Sequence, residues 1–255
     1  MLFRSIQVVV DTEDPSDQTR FYRWTLEETW EYHSRYVSWL KFTGIIIDTL
    51  PFRFVDSRAP SEMIDKCYKV QSSSQILTTS TEGLTKDVVN DFEVTFIPAG
   101  SERLGYRYSV LVRQRAISKE TYEYLEKLRK TSQDLGGLYA PQPSKVTGNL
   151  TNINDPEEVV LGYFDAGYST EKRLSIAHDD LPDHLRVLKE LSLSCVIDTA
   201  VDVRQLIALY EAGGYTLLDY FGDDIGNPIG FTYTTSICAD CRVRGGVTTK
   251  PSYWP

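Results

Sequence analysis

The sequence predicts a mainly β fold: an antiparallel β-sandwich or distorted barrel with two helices packed outside it. Tyrosine is abundant, with 16 residues in a chain of 255, and aromatic enrichment is typical of strands. Several segments alternate apolar and polar residues with the period of a strand, whereas two segments have the period of a helix. Since no linker-like stretch separates two halves, we expect a single β-rich domain over residues 1–255.

The clearest predicted strand is the segment "FYRWTLEETWEYHS", residues 21–34. Its large apolar residues fall on one face: Tyr22, Trp24, Leu26, Trp30 and Tyr32. Glu28 falls on the same face, where an unpaired carboxylate would be costly. The sequence leaves two interpretations open: a buried acid with a raised pKa that could serve as a general acid, or a carboxylate paired with an arginine or tyrosine from a neighbouring strand.

Further strands and both helices follow from the same patterns. We expect strands within residues 6–10, 66–80, 90–97, 103–117, 157–170 and 171–177. The first helix should begin after Ser118 as N-cap and stop at Gly136-Gly137. The second should lie within residues 201–215 and stop at Gly213-Gly214.

Composition excludes some classes of partner. The formal net charge of −9 argues against nucleic acid and against an anionic membrane surface, because both need a basic face. No apolar run approaches the roughly 20 residues of a membrane-spanning helix. The N-terminus lacks the pattern of a secretory signal, and we expect the sequence to be a fragment of a longer protein.

Motifs for catalysis or metal binding are weak. His178, Asp180 and His184 are ligand types for a divalent metal, but "HDDLPDH" is also an ordinary solvated loop. The sequence has no nucleophile elbow, no phosphate-binding glycine loop and no two-histidine zinc helix. It therefore predicts no cofactor and no metal.

The four cysteines, Cys67, Cys195, Cys238 and Cys241, favour disulfides. A zinc site would need a second close pair of ligands, and a redox pair should open a helix. We expect Cys195 to bond with Cys238 or Cys241, which would place the chain in an oxidising compartment. Three pairings are possible, and free buried thiols in a cytosolic protein or a zinc site remain the alternatives.

Five blocks carry a family resemblance: "RFYRWTLEETWEYHS", "ISKETYEYLEKLR", "LYAPQPSKVTGN", "EVVLGYFDAG" and the closing "CADCRVRGG" with "KPSYWP". In this order they resemble the Bacteroidota family known as domain of unknown function 4249. The resemblance implies an outer-membrane lipoprotein with a lipidated cysteine and an immunoglobulin-like domain ahead of these blocks. We expect both to belong to the longer protein of which this sequence is a fragment. The resemblance also implies a further cysteine that often lies near the position of Asn152, so the pairing of Cys67 stays open.

The resemblance further implies a cell-envelope binding or accessory module at the outer membrane or cell surface. Its expected partner is a TonB-dependent transporter in nutrient capture, its expected ligand a carbohydrate or peptide, and no catalytic residue is implied. Trp30 and Tyr32 are candidates for stacking on a ligand, although strand alternation also explains them as core. Arg242 and Arg244 could clamp a carboxylate or a partner protein, or form a solvated turn.

Two other functions remain open. An envelope hydrolase could pair Glu28 with an acid of the 178–184 loop, if the two carboxyl groups converge in one cleft. Alternatively, the chain could be a scaffold without a ligand, which predicts a large apolar interface patch instead of a pocket.

Overall fold

The structure is a computed structural model that describes residues 5–44, 54–134, 146–186, 194–225 and 227–255. Within these ranges the chain is mainly antiparallel β, which confirms the predicted class. The strands are β1 (Ser5–Glu13), β2 (Phe21–His33), β3 (Leu40–Phe42), β4 (Val55–Ser57), β5 (Lys66–Ser72), β6 (Leu77–Ser80), β7 (Val88–Pro98), β8 (Arg107–Ala116), β9 (Ser169–Ala177), β10 (Asp198–Ala200), β11 (Tyr215–Gly222) and β12 (Pro228–Thr235). The helices are α1 (Lys119–Asp134), α2 (Val203–Ala212) and α3 (Ser236–Ala239).

The described strands form four sheets. The largest has the order β5-β2-β8-β9, with β6 also paired to β2. Strands β10, β12 and β11 form a three-stranded sheet in that order, and β1-β7 and β3-β4 form two-stranded sheets. None of the described helices is long and apolar enough to cross a membrane.

The chain divides into two compact units, each made of three segments. The first unit contains residues 1–28, 71–98 and 109–175, and the second contains residues 29–70, 99–108 and 176–255. Four of the five unit boundaries fall within β2, β5, β8 and β9, and the fifth follows the end of β7. The expectation of one β-rich domain over residues 1–255 stays a prediction.

In the first unit, aromatic residues of β2 pack as the alternation predicts. Trp24 is fully buried and stacks on Phe92 of β7 at a centroid distance of 4.3 Å. On the other face of β2, Phe21 packs against Tyr122 of α1 at 5.2 Å. Helix α1 begins where the sequence predicts, because the Ser118 hydroxyl accepts the Thr121 amide at 3.1 Å. The predicted stop at Gly136-Gly137 lies outside the described residues.

The second unit has a core of its own around α2. The Asp202 side chain caps α2 by accepting the Gln205 amide at 2.8 Å. Gly213, with φ +65°, ends the helix as predicted. Leu206 is the fully buried residue of the helix. It belongs to a cluster of buried apolar side chains: Leu40, Phe54, Val55, Ala200, Leu206, Leu217 and Phe231.

One local prediction is wrong. Residues 157–168 are not a strand, and β9 starts only at Ser169. The backbone of Phe164 is satisfied instead by the Asn149 side chain, which accepts the Phe164 amide at 2.8 Å and donates to its carbonyl at 2.7 Å. Cys238 lies in the short helix α3.

Candidate functional site

The second unit holds a buried carboxylate that the alternation of β2 misplaces. Glu31 belongs to the face predicted to be polar, yet it is only 8% exposed. Its oxygen Oε1 lies 2.9 Å from the ammonium of Lys66 and 2.9 Å from Nε2 of His33. The indole Nε1–H of Trp254 donates to the other oxygen, Oε2, at 3.1 Å. Both oxygens of the buried acid are therefore satisfied.

These donors set the charge of Glu31. Burial acts to raise the pKa of the carboxyl group, but the hydrogen bonds from Lys66, His33 and Trp254 outweigh it and hold the pKa below its usual value. The hydrogen bond to Glu31 in turn raises the pKa of Lys66. Glu31 and Lys66 thus form an ion pair at neutral pH.

This ion pair forms one wall of a pocket of about 360 Å³ that lies entirely in the second unit. The remaining lining residues combine aromatic rings, charges of both signs and a histidine: Tyr68, Tyr106, Arg107, Ala177, His178, Asp179, Lys250, Trp254 and Pro255. A volume of this size lies within the range of small-molecule sites. We refer to this cavity as the Glu31 pocket.

Tyr106 is the most accessible ring of the Glu31 pocket. It is 42% exposed, and it stacks on the His33 imidazole at a centroid distance of 3.6 Å. Since the Tyr106 carbonyl also accepts the amide of His178 at 2.7 Å, both the ring and its backbone are anchored. A ring held in this way can stack on a ligand with little further loss of freedom.

The disulfide between Cys67 and Cys241 links β5, which lines the pocket, to the C-terminal part of the chain. Cys67 lies between Lys66 and Tyr68, two lining residues. Next to the bond, Tyr68 and Val247 exchange backbone hydrogen bonds of 2.8 and 3.0 Å. Tyr68 also meets Trp254 edge-on at 5.4 Å. The C-terminal segment is thereby fixed against β5.

The second disulfide joins Cys195 to Cys238, and no cysteine is free. This confirms the prediction that Cys195 bonds with Cys238 or Cys241. It also answers the question of Cys67, whose pairing the sequence left open. The two close cysteines, Cys238 and Cys241, thus serve two different bridges.

Three charged side chains of the Glu31 pocket are available for a ligand. Arg107, Lys250 and Asp179 form no ion pair with any residue in the described ranges. The pocket therefore offers both donors and an acceptor to a ligand. It also contains the His178 imidazole, whose Nδ1 lies 2.9 Å from the Leu104 carbonyl oxygen.

The structure places the predicted stacking residues in the core. Trp30 is 4% exposed and Tyr32 is 2% exposed. Arg103 lies 5.3 Å from the centre of the Trp30 ring, and the Tyr32 hydroxyl donates to the Cys241 carbonyl at 2.8 Å. Their burial argues against a ligand contact by either ring and agrees with the core interpretation.

The two candidate arginines have protein partners. Arg242 forms a two-pronged pair with Asp240, with nitrogen–oxygen distances of 2.8 and 2.7 Å. Arg244 pairs with Glu102, donates to the His33 carbonyl at 2.7 Å and lies over the Tyr32 ring at 4.3 Å. Arg244 therefore has a structural role, and a role of Arg242 as a clamp for a carboxylate would require its release from Asp240.

The weak metal candidates are not brought together. No three His, Cys, Asp or Glu residues of the described chain could hold a metal ion. His178 faces the Leu104 carbonyl, Asp180 accepts the Ala177 amide at 3.0 Å, and His184 is exposed. Asp183 of the same loop pairs with Arg186 at 3.2 Å.

Glu28, the acid of the proposed hydrolase, belongs to the first unit and is 5% exposed. The acids of the 178–184 loop belong to the second unit. Within that unit, the loop contributes Asp179 to the Glu31 pocket. The carboxylate of β2 in this pocket is Glu31 rather than Glu28.

Of the residues that line the Glu31 pocket, the sequence indicated only His178 and the acid Asp179, both in the 178–184 loop. Strand alternation assigns Glu31 to the polar face of β2, and Lys66, Tyr106 and Lys250 belong to no recognisable motif. One signal was present: Trp254 lies in "KPSYWP", and a tryptophan in a polar tail needs both burial and a partner for its indole N–H. The partner itself, 223 residues away, could not be read from spacing.

Comparison with known proteins gives a family but no characterised relative. The model of a family described as Domain of unknown function (DUF4249) matches residues 2–173. This range includes Glu31, Lys66 and Tyr106 of the Glu31 pocket. No curated protein matches, and no solved structure matches.

Proposed function

The chain belongs to this family of unknown function, and from that premise and the geometry of the Glu31 pocket we propose that it is a non-enzymatic carbohydrate-binding module of the cell envelope. The observation that carries the proposal is the anchored, 42% exposed ring of Tyr106 beside unpaired charged groups of both signs. Sugars stack their apolar faces on aromatic rings while their hydroxyl groups both donate and accept hydrogen bonds.

The lining of the pocket supports a polar ligand. Arg107 and Lys250 can donate to ring or hydroxyl oxygens, and Asp179 can accept hydroxyl protons. The Trp254 indole N–H already donates a hydrogen bond to the Glu31 carboxylate, so these two lining residues do not have to rearrange when a ligand binds. A pre-organised wall of this kind favours affinity.

The state of Glu31 favours binding over catalysis. A general acid needs a raised pKa, whereas the donors around Glu31 lower it. A nucleophilic carboxylate needs a free oxygen, and both oxygens of Glu31 accept hydrogen bonds from the protein. A hydrolase remains the rival proposal, with Glu28 and an acid of the 178–184 loop as its candidate residues.

Location in the envelope is supported by the two disulfides, which persist in oxidising compartments. Outer-membrane or cell-surface attachment through a lipid anchor, and partnership with a TonB-dependent transporter, are proposals that rest on the family resemblance. Affinity purification of the tagged full-length protein from envelope fractions tests the partnership. Recovery of such a transporter above an unrelated tagged lipoprotein supports it, and equal recovery from both contradicts it.

A panel of defined oligosaccharides and short peptides tests the binding proposal. We expect the wild-type protein to bind one or more oligosaccharides and Tyr106→Ala to weaken that binding at least tenfold. Lys250→Gln provides a second test, because that side chain forms no ion pair within the described chain and its loss should not affect folding. Tyr168→Ala is the matched control, since Tyr168 is 93% exposed and lies outside the pocket.

The panel also separates the rival proposals. Binding of peptides but not oligosaccharides would show that the ligand is a peptide and not a carbohydrate. Release of reducing ends from a bound oligosaccharide, abolished by Glu28→Gln, would favour the hydrolase. No binding by any member of the panel would favour a scaffold without a ligand.

A further inference from the structure

The first unit contains six described arginines, and two of them differ from the rest. Arg20, Arg113, Arg129 and Arg173 each pair with a carboxylate, at distances between 2.6 and 3.2 Å. Arg23 and Arg115 have no carboxylate partner among the residues that the structure describes. In a chain with 36 acidic and 27 basic residues, acids are in excess, so the lack of a partner for two arginines needs an explanation.

The two unpaired arginines line the same cavity. It has a volume of about 160 Å³ and lies entirely in the first unit, where β8 runs into α1. Arg23 comes from β2 and Arg115 from β8. Burial, and secondly the positive charge of Arg115, lower the pKa of Arg23. The two guanidinium groups therefore repel each other, and Arg23 is also partly desolvated; an anion between them would lower both costs.

The rest of the cavity is suited to a small ligand. Tyr124 of α1 and Tyr163 pack together at a centroid distance of 4.8 Å and form one side. Gly167 lies so close to the end of β8 that an added Cβ would be 2.7 Å from the Ala116 carbonyl oxygen, so the segment that carries Tyr163 is held tightly at this place. Asp165 is the one carboxylate in the lining, against two arginines. The cavity keeps a net positive charge.

We propose that the cavity of Arg23 and Arg115 is a second binding site, separate from the Glu31 pocket, for an oxyanion group such as a carboxylate, sulfate or phosphate. Guanidinium groups bind such anions with paired, charge-assisted hydrogen bonds. The volume suits one oxyanion group and a small part of the molecule that carries it, and the tyrosine pair would flank that part. The site is independent of whether the Glu31 pocket binds a sugar.

Calorimetric titration of the full chain with sodium sulfate, sodium phosphate and sodium glucuronate, each at an ionic strength matched with sodium chloride, tests the site. We expect saturable binding of at least one of the three anions. Arg115→Gln should weaken it at least tenfold, and because Arg115 is exposed this variant should fold. Arg23→Gln should have the same effect. Lys127→Gln removes one positive charge from an exposed position of α1 outside the cavity and should leave binding unchanged.

The three titrations identify the source of the anion. Binding of sulfate or phosphate shows that an inorganic group is sufficient, whereas binding of glucuronate alone, weakened by Tyr163→Ala, shows that an acidic sugar is the ligand. Spectra of the arginine side-chain Nε–H groups provide a second measurement: the signals of Arg23 and Arg115 should shift on titration, while that of the paired Arg113 stays. No saturable binding, or equal affinity in Arg115→Gln and the wild type, would overturn the proposal.

Discussion

The indole of Trp254 donates a hydrogen bond of 3.1 Å to the carboxylate of Glu31, across 223 residues of chain. This bond holds the C-terminal segment against the C-terminal end of β2, where the Glu31 side chain is buried. The same carboxylate forms an ion pair with Lys66. A strand end, a disulfide-bonded strand and the C-terminal segment therefore meet at one acid, and the Glu31 pocket exists because they do.

Glu31→Gln should destabilise the protein by about 2 kcal/mol, because it leaves the Lys66 ammonium with a neutral partner and weakens charge-assisted hydrogen bonds. Urea unfolding measures the change. Glu171→Gln is the control, since Glu171 is exposed and pairs with Arg113 at the surface; its effect should stay within about 0.5 kcal/mol. Equal effects of both substitutions would show that the Glu31 network does not contribute to stability.

Stability should fall in acid partly through Glu31. Its pKa in the folded protein lies below the usual value of 4.5, so the unfolded chain takes up the proton first as the pH drops. The contribution is complete above about pH 4.5 and is lost as the pH falls through the folded-state pKa. Unfolding free energies measured from pH 6 to pH 3 should decline less steeply for Glu31→Gln than for the wild type. Parallel curves would contradict this assignment.

Non-reducing peptide mapping should find Cys67 linked to Cys241 and Cys195 linked to Cys238. Replacement of both Cys67 and Cys241 by serine should cost about 2–5 kcal/mol, since that bond closes a long loop in the unfolded chain, and should abolish ligand binding in the Glu31 pocket. The Cys195/Cys238 double variant is the control for binding. Free thiols or bound zinc in protein made under oxidising conditions would contradict the pairing and the proposed location together.

Gly246→Ala should destabilise the protein by about 1–3 kcal/mol, because a Cβ there would lie 2.9 Å from Cβ of Cys67 and would also collide with the Tyr32 hydroxyl. Gly83→Ala is the matched control, with no heavy atom within 4 Å of the added carbon. Thermal unfolding compares the two. If both variants have the same Tm, the C-terminal segment does not pack closely on the Cys67 disulfide.

Local patterns were sufficient for much of the fold. The alternation of the first half of β2, the Ser118 cap of α1 and the Gly213 end of α2 depend on neighbouring residues, and the structure has all three. Residues 157–168 show the limit, because the side chain of Asn149 satisfies the Phe164 backbone that a strand partner would otherwise pair with.

The candidate site depends on contacts that no local pattern contains. Period-two alternation assigns Glu31 to a solvated face. Its burial depends on contacts with Trp254 and Lys66, which are distant in sequence. The cavity of Arg23 and Arg115 likewise requires the pairing of two strands and the packing of Tyr163. The cysteine pairing was predicted in part, since the sequence indicated the bond of Cys195 but could not choose a partner for Cys67.

The most direct test of the proposed function is the indole N–H spectrum of the wild-type protein during titration with the tightest-binding oligosaccharide of the panel. We predict that the Trp254 signal shifts with saturation, because this indole lines the Glu31 pocket, while the signal of the fully buried Trp24 in the first unit does not. A saturable interaction that leaves the Trp254 signal unchanged, or the absence of any oligosaccharide that binds, would contradict carbohydrate binding in the Glu31 pocket.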